Sequence, residues 1–162
     1  MTRTYVDFIE RLSRLCGVLS ALLLIFAMLV VCEMIVIRYI LRAATIWQTE
    51  AVVFSATAAI FLGAPYVLMT KGHVGVDVIQ MLVKPRTRLR MERTGALLGM
   101  VFCITMVVAT AIHLYEALEG GWTTPSVAAI PLWMPLAPML VGLLLLSLQY
   151  VAELIKLAGE PT

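Results

Sequence analysis

Residues 15–37 read LCGVLSALLLIFAMLVVCEMIVI, with Glu33 the one charged side chain in 23 positions. At about 1.5 Å per residue such a helix reaches ~35 Å, enough to cross the ~30 Å hydrocarbon layer of a bilayer with some tilt. A soluble surface helix would carry a polar stripe. An element that is apolar all round belongs in a membrane, where a helix satisfies its own backbone. Arg3, Arg11 and Arg14 precede the run, as basic residues precede the apolar core of a secretory leader. The run is far longer than a cleavable leader's, and no small-residue cleavage site follows it, so it reads as a first transmembrane helix.

Three similar blocks follow at about residues 46–69, 94–114 and 132–154, and the four spans hold 21 to 24 residues each. Of 162 residues, 62% are hydrophobic and 14% charged, with a mean hydropathy of +0.99. A soluble domain carries roughly 25% charged residues. The longest connection, 70–93, has 24 residues, and no internal repeat or low-complexity linker interrupts the chain. The expectation is one all-α integral membrane domain over residues 1–162, with no room for a soluble catalytic domain.

Lysine and arginine set the orientation. Arg3, Arg11 and Arg14, then Lys71, Lys84, Arg86, Arg88, Arg90 and Arg93, then Lys156 place ten basic residues on one side; Arg38 and Arg42 are the two on the other. The positive-inside rule therefore predicts that both termini and the 70–93 segment are cytoplasmic. A basic segment beside membrane spans is explained by that rule, so nucleic acid is not an expected partner, whereas membrane lipid is.

Local signals add detail. Thr45-Ile46-Trp47-Gln48 has the form of a capping box, with Thr45 capping the second helix and Gln48 reaching back. Trp47, Tyr66, Tyr115, Trp122 and Trp133 fall near span ends, as interfacial aromatics do. Val74, Val78, Met81 and Leu82 share one helical face, which predicts a short amphipathic helix on the cytoplasmic surface, ended at Pro85. Pro131 and Pro135 suit the opening of the fourth helix, while Pro138 should kink it unless neighbours compensate.

Few groups could carry chemistry. Glu33 lies near the outer end of the first helix, Glu50 opens the second, and Arg38 and Arg42 follow the first on the same side. A proton or ion relay is one reading. The plainer one is an interfacial cluster in which Glu50 accepts from Arg38, Arg42 or the amide end of its own helix. His73 and His113 are predicted at opposite membrane surfaces, too far apart to ligate one haem. Cys16, Cys32 and Cys103 lie inside apolar blocks without metal-ligand spacing and read as packing residues. No catalytic motif is present, and neither a cofactor nor a metal site is expected. Ala51, Ser55, Ala59 and Gly63 recur every fourth position in the second helix, and Gly95 and Gly99 form a GxxxG in the third. Such faces let backbones approach closely, either between helices of this chain or against a partner. With Ala59 and Gly63 at the depth of Gly95 and Gly99, helices two and three are expected to pack on each other.

The stretch WQTEAVVFSATAAIFLGAPYVLMTKGHVGVDVI, residues 47–79, resembles the second-helix signature of the small membrane (DctQ-type) subunit of tripartite ATP-independent periplasmic (TRAP) transporters. The matching positions are Trp47 and Glu50, Phe61 to Ala64 with Gly63, and Gly72-His73-Val74 followed by Val76-Asp77. Arg38-Tyr39 also matches, as does IPLWMPLAPMLVG at 130–142, whose Pro131 and Trp133 resemble the family's start to the fourth helix. Gln48-Thr49 departs from it, since members often carry a second acidic residue beside Glu50. The resemblance implies a bacterial inner-membrane scaffold that pairs with a large membrane subunit and receives a periplasmic solute-binding protein delivering an organic acid. Substrate and sodium sites would lie in the large subunit. The residues then expected to serve structure or partner contact are Arg38, Trp47, Glu50, Gly63, His73, Asp77, Gly95, Gly99, Pro131 and Trp133. The alternative is a self-contained oligomeric small exporter; such exporters also have four helices and a glutamate in the first, but nearer mid-membrane and in a shorter chain. A redox-enzyme anchor is disfavoured by the histidine depths.

Overall fold

The structure, a computed structural model, describes residues 2–70 and 85–159. Helix α1 spans Thr2–Val36, α2 Gln48–Met69, α3 Pro85–Glu119 and α4 Trp133–Gly159. All four are long and apolar enough to cross a membrane. The described residues contain no strand, only an isolated bridge between Thr123 and Pro131. The chain is an all-α protein with four candidate spans. The surface helix expected at 74–83, with His73 and Asp77, lies outside the described residues.

Helix ends follow from local chemistry. At 35 residues, α1 is ~50 Å long at about 1.5 Å per residue and continues past a bilayer's hydrocarbon core. It closes through a π-helical turn, Ile37–Leu41, where Arg42 adopts a left-handed conformation (φ 49°) and its amide reaches back to the Ile37 carbonyl. The expected capping box does not form. α2 begins at Gln48 behind Trp47, no side chain caps it, and the Thr45 hydroxyl instead accepts from Arg38 Nε at 2.8 Å. Pro85 opens α3, where its fixed φ suits the first turn and its missing N–H would have been unpaired anyway; the end of the expected surface helix lies outside the described residues. Arg86, Arg88, Arg90 and Arg93 are helical.

The expected pairing of helices two and three is also corrected. The principal pairs are α1 with α2, α2 with α4, α3 with α4 and, less extensively, α1 with α4. α4 is the hub: 28% of its apolar window is buried, against 11% for α3, whose one extensive partner among the described helices is α4. The small-residue face of α2 serves α1, where Ser20 Oγ donates to the Ala59 carbonyl at 2.6 Å and packs against Gly63. Gly99 faces the Tyr150 ring of α4, and Gly95 has open space beside it. Gly63 and Gly99 thus pack as small residues do, but on different partners, and Gly95 packs on neither.

The α2–α4 contact has its own cause. Pro65 lies inside α2 and is fully buried. Lacking an N–H, it leaves the carbonyl four residues earlier, that of Phe61, without its helical donor. Gly142 of α4 packs directly against that Phe61 carbonyl, so closely that any Cβ there would collide with it. Backbone-to-backbone approach at a proline-freed carbonyl requires glycine opposite, and weak Cα–H···O contact is the interaction such an approach permits.

Candidate interaction site at the loop end

The bundle has two ends: one carries the two chain termini, the other the connections 42–47 and 120–132. The second connection is built rather than slack. α3 stops in a Schellman-type turn, with Gly121 left-handed (φ 59°) and the Trp122 amide bonded to the Ala117 carbonyl at 3.1 Å. Residues 122–132 then fold back as a narrow loop. The Thr124 amide reaches the Ile130 carbonyl and the Leu132 amide the Trp122 carbonyl, both at 2.9 Å. Trp122 stacks edge-on against His113, with ring centroids 5.8 Å apart.

This loop is fastened to α2 through Glu50 in its first turn. Glu50 Oε1 accepts from Thr124 Oγ1 at 2.7 Å and from the Ser126 hydroxyl. Thr124 Oγ1 also accepts from the Ile130 amide at 3.1 Å, so the carboxylate holds both strands of the loop. The expected Glu50–arginine pair is therefore replaced. Arg38 is occupied by Thr45, and two hydroxyls arriving from a connection more than seventy residues away take the carboxylate oxygen. Glu50 Oε2 and the Oε1 of Gln48, a residue only 5% exposed, are enclosed without a donor among the described residues.

A second polar cluster joins α1 to α4 at the terminal end. Ser13 Oγ donates to Gln149 Oε1 at 2.9 Å, both side chains essentially fully buried. Lys156 Nζ sits between Glu10 Oε1 at 2.5 Å and Glu153 Oε1 at 3.1 Å. Arg93 Nη2 donates to the Leu157 carbonyl at 2.7 Å, in the last turns of α4, where carbonyls lack helical donors and the dipole favours a cation. Between the two ends the described seams are small residues and apolar side chains. Both clusters can fasten helices and loops to one another; neither pairs a nucleophile with a base.

The remaining expected residues are scattered rather than gathered into one site. Trp47 and Trp133 are exposed at the loop end, as is Arg38. Pro131 is bridged to Thr123, and Glu33 is exposed on α1. Cys16 and Cys103 are buried, Cys32 is exposed, and all three are free thiols. Thr124, Ser126, Ser13, Gln149 and Gly142 were not singled out from the sequence. The polar run Thr123-Thr124-Pro125-Ser126, at the depth of Glu50, was the available signal for the loop.

A family model described as "Tripartite ATP-independent periplasmic transporters, DctQ component" matches residues 27–160, a stretch that takes in α2, α3, α4 and the last turns of α1. The chain belongs to the DctQ family. It is a small membrane subunit of a TRAP transporter, a multi-pass membrane protein in a family of transporter components rather than of enzymes. DctQ components work within tripartite systems that also contain a large membrane component and a periplasmic binding component. No curated protein and no solved structure matched the chain.

Proposed function

We propose that this DctQ chain is a non-catalytic scaffold in a sodium-gradient-driven uptake system, fixed beside the large membrane subunit and presenting the 120–132 loop to the periplasmic solute-binding protein. What carries the reading is where the polar contacts fall: one cluster at each end, with small-residue packing between them. A carrier that moved an organic acid by itself would need polar groups converging near mid-membrane, since a charge there costs about 2.5–3.5 kcal/mol on insertion scales unless compensated. A scaffold needs its helices fastened and its outer loop shaped, and the contacts supply both. The distribution of basic residues supports cytoplasmic termini and a periplasmic loop in a bacterial inner membrane. There Val127, 88% exposed, Trp122 and Trp133 form an apolar rim at the loop, the kind of group a docking protein covers.

Reconstitution tests this. The chain alone in liposomes with an inward sodium gradient should move no organic acid, and co-reconstitution with the large subunit and binding protein should restore uptake. Sodium-dependent uptake by the isolated chain would overturn the proposal.

A further inference from the structure

Between α3 and α4, at the terminal end, lies an open groove of about 430 Å³ lined by Arg93, Thr94, Leu97 and Leu154. Its lining changes character along its length. Arg93 is the last charged residue of α3 before the apolar run that begins at Thr94, and Leu97 follows one helical turn farther on, facing Leu154 across the groove. Polar at one end and aliphatic at the other, it straddles the level at which α3 passes from water to hydrocarbon.

Arg93 is unusual within it. One nitrogen of its guanidinium caps α4 at the Leu157 carbonyl, while Nε is enclosed without an acceptor among the described residues. A guanidinium presents five donors in a planar fork and stays charged, so one carbonyl leaves most of its capacity unused. Arg90, one turn earlier, is exposed and adds a second positive charge on that side of the helix. A buried donor without a partner calls for an explanation, and an anion held on the same guanidinium supplies one.

We propose that this groove binds one anionic phospholipid, with the phosphate on the Arg93 fork and an acyl chain laid over Leu97 and Leu154. Phosphate oxygens match a guanidinium bidentately, and basic pockets between spanning helices are where anionic headgroups bind. α3 is the least buried of the four spans, and α4 is its one extensive partner among the described helices, so a lipid filling the groove would brace it from the membrane side. The proposal rests on α3 crossing the bilayer and is independent of what the assembly transports.

Native mass spectrometry of the full chain, and of its complex with the large subunit, tests it. Phosphatidylglycerol and phosphatidylcholine of identical chains are titrated, with inorganic phosphate as a separate arm. The wild type should retain one phosphatidylglycerol with at least about tenfold preference over phosphatidylcholine. Arg93→Gln should reduce that preference about fivefold or more, and Arg93→Lys should keep part of it. Because Arg93→Gln also removes the α4 cap, Leu154→Trp serves as the second variant: it fills the groove with both arginines in place and should lower retention equally. Three outcomes would each overturn the proposal: equal retention of both lipids, full retention in Leu154→Trp, or inorganic phosphate displacing the lipid at millimolar concentration. Loss of the lipid on complex formation would assign the groove to a subunit contact instead, and would overturn it too.

Discussion

Ser13 and Gln149 show what a buried polar pair asks of its neighbours. Ser13 Oγ supplies the donor for Gln149 Oε1, while Gln149 Nε2 is enclosed with no acceptor among the described residues. Ser13→Ala should therefore destabilise the fold by about 1–3 kcal/mol, because it leaves a second unpaired polar atom on Gln149. The double variant Ser13→Ala/Gln149→Leu should recover most of that, since two apolar groups of similar shape need no partner. Thermal unfolding of the detergent-solubilised protein measures both, and a double variant as unstable as the single one would show that the pair is not what matters. Glu50 makes a similar argument at the other end. With the carboxylate gone, Thr124 and Ser126 lose their acceptor, so Glu50→Ala should raise hydrogen exchange at the Ile130 and Leu132 amides by about tenfold, equivalent to about 1.4 kcal/mol, while the α4 interior stays protected. Unchanged exchange in the loop would mean that its own backbone bonds suffice.

For the helices, glycines with different neighbours separate packing from propensity. Gly95 has nothing nearby, so Gly95→Ala should be neutral or stabilise by up to about 1 kcal/mol through helix propensity alone. Gly142 faces the Phe61 carbonyl, and a backbone group has no rotamer to move into. Gly142→Ala should therefore cost about 1–3 kcal/mol by overpacking the α2–α4 seam. The two melting temperatures should move in opposite directions or differ clearly. Pairing is read out by disulfide trapping in a background without the native cysteines. A Cβ at Gly63 lies 3.2 Å from that of Ser20, close to disulfide geometry, so cysteines at 20 and 63 should cross-link readily. Cysteines at 59 and 99 should not, because α2 and α3 are not a principal pair. The reverse pattern would restore the α2–α3 pairing that small residues at equal depth suggest.

At the scale of the whole molecule the prediction is topological. Ten basic residues on one side of the spans against two on the other predict cytoplasmic termini. A membrane-impermeant thiol reagent applied from outside intact cells should label a cysteine introduced at 119, at the loop end of α3, and leave one at 88 unlabelled. Labelling at 88 alone would invert the orientation, and with it the assignment of the 120–132 loop to the periplasm.

Composition and block length were enough to specify four apolar helices, because an apolar run of about twenty residues has few folded alternatives. The family was legible too, in residues 47–79 and 130–142, since those positions lie in and around two of the spans and keep their spacing. The choice of partners was not legible. Gly63 and Gly99 announce close approach, but a small residue carries no record of which helix approaches it, and only the fold assigned Ser20 to one and Tyr150 to the other. Glu50 likewise declares a need for donors at the start of its helix. Arginines nearby in sequence were the obvious candidates. The hydroxyls of Thr124 and Ser126 supply them instead, because the Schellman turn at Gly121 and the fold-back of 122–132 carry that loop over the start of α2. Hydropathy acts residue by residue and survives in one dimension. A hydrogen bond across seventy-four positions exists only once the chain has folded.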